Sequence, residues 1–280
     1  MKIVNHHAHT TFSDGAHDAE TMIRRAVELG MEGYGYSDHA PIRIHDFGNM
    51  ELDNLKAYST EIDRIKAAYA DRIKVYKSLE VDYIPGLINV DTDYIVAADL
   101  DYTVGAVHYV ETLDGKPWSF QRPDPSFERG INEIFGGSGR KMVERYFELV
   151  REMVRQHPPD VVAHLDRIKK RNPKAQYWDE HDAWFGAEID RTLNLIADAG
   201  IILEVNTRGI YKGEIDETYP SLWIVERANR MGIPLQVNSD AHDVAHITGA
   251  FSEVYGRLLR VGVASVKVFD DDQFVERRLG

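Results

Sequence analysis

Two periodicities alternate along this chain, and each apolar run of the shorter kind ends in a polar residue. Ile3-Val4 runs into Asn5-His6-His7-Ala8-His9-Thr10, with strand expected from Met1 and Lys2 onward. Gly33-Tyr34-Gly35-Tyr36-Ser37 ends at Asp38-His39, residues 73–79 at Glu80, 102–107 at His108, and 161–163 at His164. Residues 201–205 lead into Asn206-Thr207-Arg208-Gly209, and 235–239 end at Asp240-Ala241-His242. These short runs, bounded by turn-forming residues, predict strands. Between them the apolar spacing is helical. Met22, Ile23, Ala26, Val27 and Leu29 form a stripe with Asp18 as its cap and Gly30 as its stop. Leu55, Tyr58, Ile62, Ile65 and Tyr69 mark a helix over 52–69, and Pro85-Gly86 turns the chain before a short helix at 89–98. Met142, Val143, Tyr146, Phe147, Val150, Met153 and Val154 share one side of a helix over 140–156. Further helices are expected at 184–199 and 220–230.

Repeated strand-then-helix units imply parallel pairing with right-handed crossovers. No glycine-rich dinucleotide loop follows the first strand, which favours a closed or nearly closed barrel over an open doubly wound sheet. The tail, helical at 254–259 and extended at 264–269, supplies either one more strand or a seal for the barrel. Residues 112–139 form the least regular interval, rich in Gly, Pro, Asp and Ser, with Trp118, Phe120, Phe127 and Phe135 scattered through it. A long loop carrying such aromatics predicts a substrate-side lid, or else a small satellite core. No break in composition divides the 280 residues, so a single domain over 1–280 is expected.

Composition narrows the chemistry. With 33 Lys and Arg against 46 Asp and Glu, the formal charge of -13 repels polyanions, so a broad nucleic-acid footprint is not expected. Zero cysteines exclude disulfides, thiolate ligands and a cysteine nucleophile. Any metal site must use imidazole and carboxylate. No basic, apolar leader and no membrane-length apolar run is visible, which predicts a soluble protein of the cytoplasm.

In a β/α barrel the strand ends share one face, where sites are built. His7 and His9 point the same way because side chains repeat every two residues along a strand. With His39, Glu80, His108, His164, Asp240 and His242 they could meet in one pocket. That inventory suits zinc, manganese or iron and is too large for one tetrahedral ion. Two or three metals around a bridging carboxylate would activate water and neutralise phosphoryl oxygens.

Together the segments His7-Ala8-His9-Thr10 with Asp14-Gly15, Ser37-Asp38-His39-Ala40-Pro41, Leu79-Glu80-Val81-Asp82-Tyr83-Ile84-Pro85-Gly86, Gly105-Ala106-Val107-His108, Ala163-His164-Leu165-Asp166, Glu204-Val205-Asn206-Thr207-Arg208-Gly209 and Ser239-Asp240-Ala241-His242 resemble the PHP (polymerase and histidinol phosphatase) family. Within it the resemblance is to the monofunctional histidinol-phosphate phosphatases. The resemblance implies a distorted (β/α)7 TIM-like barrel holding three divalent metal ions. It implies one metal on His7, His9, Glu80 and Asp240, with Glu80 bridging to a second on His108 and His164. His39, His242 and a first-loop residue, Asp14 or His17, would hold the third. Arg208 leads the candidates for the substrate phosphate, because guanidinium pairs well with phosphate oxygens, though a structural carboxylate could claim it instead. Arg43, Lys212 and Arg167 follow. Glu204 suits either an inward salt bridge or substrate recognition, and Trp118 could cover the substrate's ring. The implied activity is hydrolysis of L-histidinol phosphate, with Glu80, Asp240, His242 and Arg208 central to catalysis. A broader small-ester or nucleotide phosphoesterase and a non-catalytic metal-binding module are the competing readings. The oligomeric state is not set by the sequence.

Overall fold

The computed structural model describes residues 3–44, 48–122 and 125–280. Met1 and Lys2, expected to begin the first strand, lie outside these residues, as do 45–47 in the second loop and 123–124 in the long interval. In chain order the first half holds β1 (Val4–Asn5), α1 (Ala19–Glu28), β2 (Gly33–Tyr36), α2 (Leu55–Ala68), β3 (Lys74–Lys77), β4 (Glu80–Asp82), α3 (Asp93–Val96) and β5 (Val104–Ala106). Then come β6 (Tyr109–Leu113), β7 (Lys116–Ser119), α4 (Ser126–Phe135), α5 (Gly139–Gln156), β8 (Val161–Val162) and α6 (Ala183–Ala199). The chain ends with β9 (Ile202–Asn206), α7 (Arg208–Tyr211), α8 (Leu222–Arg230), β10 (Leu235–Asn238), α9 (Phe251–Arg260), β11 (Ser265–Asp270) and β12 (Gln273–Arg278).

Parallel strands β1-β2-β3 form one sheet and β10-β9-β8-β5-β4 another. A parallel bridge between His39 and Glu80 joins them on one side and a bridge between Ala8 and Ala241 on the other. The result is a distorted seven-position TIM-like barrel with interleaved helices. Closure between first and last strands rests partly on side chains. Asn5 donates to Ser239 Oγ at 2.9 Å, and the His6 amide donates to Asn238 Oδ1 at 2.9 Å. Along β9, Leu203 and Val205 pack outward with the helices, while Glu204 and Asn206 turn into the barrel. That period-two split follows from the pleat. Helix α1 starts where Asp18 accepts the Thr21 amide at 2.7 Å, and it buries Met22, Ile23 and Ala26.

Three expectations change, and the choice left open for the tail is decided. The third strand does not stop at Glu80: it breaks at Ser78-Leu79 and resumes as β4, because its halves pair with different neighbours. The helix expected at 89–98 shrinks to Asp93–Val96. There, Asn89 Oδ1 accepts the Asp91 amide and Thr92 Oγ1 the Asn89 amide, satisfying the backbone in a turn. The irregular interval holds a hairpin, β6–β7, and a helix, α4. Its aromatics Trp118, Phe120, Phe127 and Phe135 are all buried in the main core. In the tail, β11 pairs with β12 in an antiparallel hairpin and not with the barrel. Phe269 from this hairpin packs with Tyr76, Tyr102, Val104, Ala106, Val161 and Ile202, which seals the end of the barrel away from the histidines. No helix among the described residues is long and apolar enough to cross a membrane.

Candidate metal centre

Glu80 opens β4 in the barrel wall, and imidazoles approach both of its oxygens. Oε2 lies 3.3 Å from His7 Nε2, 3.5 Å from His9 Nε2 and 3.1 Å from His39 Nδ1. Oε1 lies 2.8 Å from His164 Nε2 and 3.6 Å from His108 Nε2. Asp240 Oδ1 is 3.2 Å from His9 Nε2 and 3.9 Å from His7 Nε2. Asp14 Oδ1 is 3.1 Å from His242 Nε2, 3.7 Å from His9 Nδ1 and 3.8 Å from His39 Nε2. The loop that carries Asp14 is fixed by Asp38, which accepts the Thr10 amide at 2.7 Å and the Ser13 hydroxyl at 2.6 Å. His17 turns elsewhere, 3.5 Å from Asp243.

Three sets of donors lie close enough to share a cation: His9, Asp14, His39 and His242; His7, His9 and Asp240; and His39, Glu80 and His108. His9 and His39 each belong to two sets, so the sets interlock. His7 Nε2, both ring nitrogens of His9 and His39 Nδ1 are buried with no hydrogen-bond partner among the described residues. Buried nitrogens left unpaired are costly, and beside carboxylates they fit divalent cations. His164 and Asp240 have positive φ angles, 22° and 53°, a backbone region costing non-glycine residues about 1–3 kcal/mol. Such strain at two strand ends is retained where it aims a functional group.

Buried carboxylates behind the ligands set the tautomers. His7 Nδ1 lies 2.7 Å from Glu204 Oε1, and His108 Nδ1 lies 2.9 Å from Asp82 Oδ1. Each carboxylate takes the Nδ1 proton, so each Nε2 is the nitrogen turned toward Glu80 and left for a cation. Glu204 therefore supports a ligand from inside the barrel, and Asn238 and Asn206 donate to its oxygens at 3.0 Å each. Burial lowers the His7 pKa, but Glu204, Glu80 and Asp240 outweigh it and raise it well above the ordinary value. Burial, with His242 and His39 nearby, brings His9 down to about 3. Burial works against ionisation of Glu80, yet His39, His7 and His108 hold its pKa well below the usual range.

The cleft above these donors encloses about 470 Å³, within the roughly 300–1,000 Å³ of small-molecule sites. Arg167, Lys170 and Arg208 bring cations to its lining. Arg208 donates to the Asp240 carbonyl at 2.9 Å and lies 3.3 Å from Asp240 Oδ1, so it spans the metal donors and the cleft. Two proposed phosphate contacts stand off this lining. Arg43 is exposed and lies over the Tyr94 ring at 5.2 Å, and Lys212 lines an adjoining recess that shares Asp14, Arg208 and His242 with the cleft. Trp118 is buried against Phe127 and lines no part of the cleft, since its ring fills the space beside the Cβ-less Gly130. Asp82, Lys170 and Glu214 were missed from the sequence. Asp82 was within reach, because it shares an inward face with Glu80 two residues earlier once the strand continues.

The family described as PHP domain matches residues 5–208. A histidinol-phosphatase of Bacillus subtilis is 26% identical over 267 residues, covering 88% of this chain and 97% of that one. A crystal structure from Listeria monocytogenes has a TM-score of 0.77 at 24% identity, covering 90% of this chain and 99% of that one. A histidinol phosphate phosphatase from Lactococcus lactis, complexed with zinc, L-histidinol and phosphate, has a TM-score of 0.69 at 17% identity, covering 98% and 99%. These two solved structures share the fold.

Proposed function

The chain belongs to the PHP domain family, and from that premise we propose that it is a metal-dependent phosphomonoesterase that hydrolyses L-histidinol phosphate to L-histidinol and inorganic phosphate. The observation that carries this reading is the convergence of imidazoles on both oxygens of Glu80, beside a cleft lined by Arg167, Lys170 and Arg208. The name of the Bacillus subtilis relative, matched over nearly its full length, and the ligands of the Lactococcus lactis structure support the substrate.

In this reading His7, His9, Glu80 and Asp240 hold one divalent ion, Glu80, His108 and His164 a second, and Asp14, His39 and His242 a third. Zinc, manganese or iron there supplies Lewis-acid chemistry, acidifying water near neutral pH and offsetting charge on the phosphoryl group. The chain itself does the rest. Glu204 and Asp82 keep the His7 and His108 lone pairs aimed inward. Arg208 and Arg167 orient the phosphate through fork-shaped donors. The end of β7 and the segment after it, which place Ser119 and Gln121 on the cleft, cover the organic end of the substrate. A cytoplasmic setting completes the proposal, since a charged phosphate ester crosses bilayers poorly.

Phosphate release from L-histidinol phosphate, measured beside nucleotide monophosphates with bound metal quantified, tests this. Strong preference for histidinol phosphate is the expected result. Equal turnover of nucleotides would favour a broader phosphoesterase. A fully metal-loaded protein that releases no phosphate from either would be a binding module.

A further inference from the structure

Like charges packed on one wall repel, and in a partly dry cleft that repulsion is larger than in water. Arg167 and Lys170 come from the turn after His164, and Arg208 from α7. Glu214, in the loop after α7, meets all three. Its Oε2 accepts from Arg167 Nη1 at 2.6 Å and from the Tyr219 hydroxyl at 3.2 Å. Its Oε1 lies 2.7 Å from Lys170 Nζ and 4.0 Å from Arg208 Nε. The Arg167 guanidinium is also held over the Tyr219 ring at 4.6 Å. Both carboxylate oxygens are thus engaged by the protein, and the cations they hold line the cleft.

We propose that Glu214 is a positioning residue for anion recognition: its carboxylate holds the Arg167 guanidinium and the Lys170 ammonium side by side, so that a phosphate group meets an assembled pair of cations. The inference rests on the phosphate-ester reading given under the proposed function. Without the carboxylate, two things change. Arg167 and Lys170 lose their common anchor. Lys170 also loses the group that opposes its deprotonation. Burial, Arg167 on its own turn and Arg208 bring its pKa down to about 8, while Glu214 pulls it upward. In Glu214→Gln the ammonium is therefore given up at lower pH.

Sulfate is a suitable probe, because it imitates a phosphate dianion and does not titrate near neutrality. Its binding to metal-matched protein is measured by calorimetry from about pH 6 to about pH 9 for wild type, Glu214→Gln, Glu214→Asp and Lys170→Met. Glu214→Gln is expected to bind about tenfold more weakly than wild type near pH 8, with the gap narrowing toward pH 6 as Lys170 becomes protonated in both. Lys170→Met should be weaker than wild type at pH 6 and lack that trend. Glu214→Asp, too short to span both cations, should show the same pattern in smaller size and carries the test if Glu214→Gln does not fold. Glu214→Gln that binds sulfate as tightly as wild type at every pH, or a Glu214→Asp profile that matches wild type throughout, overturns the proposal. Wild type that binds no sulfate and turns over no phosphate ester overturns the phosphate-ester reading with it, so the two failures are distinguishable.

Discussion

Glu80 faces His7, His9 and His39 with one oxygen and His108 and His164 with the other, so a change there cannot be confined to one ion. Glu80→Ala should remove more than one equivalent of metal by elemental analysis and slow phosphate release at least about a thousandfold. Unchanged metal content and rate would reject a bridging role. Glu214 offers a second test through pH. Burial opposes its ionisation, but Arg167 and Lys170 hold its pKa at about 2 against an ordinary 4.5. A depressed folded pKa means that the stabilisation is complete above the unfolded value and is lost as pH falls through the folded one. Wild type should therefore lose on the order of 2 kcal/mol more than Glu214→Gln between about pH 4.5 and 2, read from urea unfolding at each pH. Parallel stability curves for the two proteins would exclude that contribution.

The hairpin β6–β7 shows how an element can carry a site residue without its aromatics touching ligand. Asp114 and Gly115 have φ angles of 53° and 73°, the pair of positive values that a two-residue hairpin turn with the twist of its strands requires. The Asp-Gly signal stands between two short apolar stretches and was available in the sequence. The surrounding Gly, Pro and Ser masked it. Trp118 on β7 is held by α4, where a Cβ added at Gly130 would meet its indole at 2.0 Å. Gly130→Ala should cost about 2 kcal/mol in unfolding free energy, because overfilling a packed core displaces the ring. The same change should raise KM more than it lowers kcat, since Ser119 and Gln121 follow Trp118 into the cleft lining. An unaltered KM would uncouple the hairpin from the site.

At the scale of the whole molecule, the barrel is filled from two ends with different materials. Below, Phe269 caps an apolar plug of Tyr76, Tyr102, Val104 and Val161. Its amide donates to His6 Nε2 at 2.9 Å, tying the tail to the first strand. Above, Glu204, Asn206, Gln236 and Asn238 form a polar layer beneath the candidate ligands. Phe269→Ala should destabilise the fold by about 3 kcal/mol through the cavity it leaves, while folded protein keeps its metal content. Loss of metal without loss of stability would show that the plug supports the ligands directly. Clustering of buried carboxylates and imidazoles also makes the fold a metal sink, because ions that bind only the native state stabilise it by mass action.

By itself the sequence determined the order of the barrel strands and the main helices, their amphipathic faces and the chemistry waiting at each strand end, since periods of two and 3.6 are local properties of a chain. Asp18 as a helix cap and the shared direction of His7 and His9 were legible for that reason. Tertiary structure alone decided which donors share a cation, why Asp14 and not His17 faces His242, and why Trp118 is buried. It also brought Glu214 to Arg167, 47 positions earlier in the chain. Those outcomes depend on barrel closure, on the break at Ser78-Leu79 and on strand register, which bring distant residues to within a few ångströms. Local patterning carries no term for such distances.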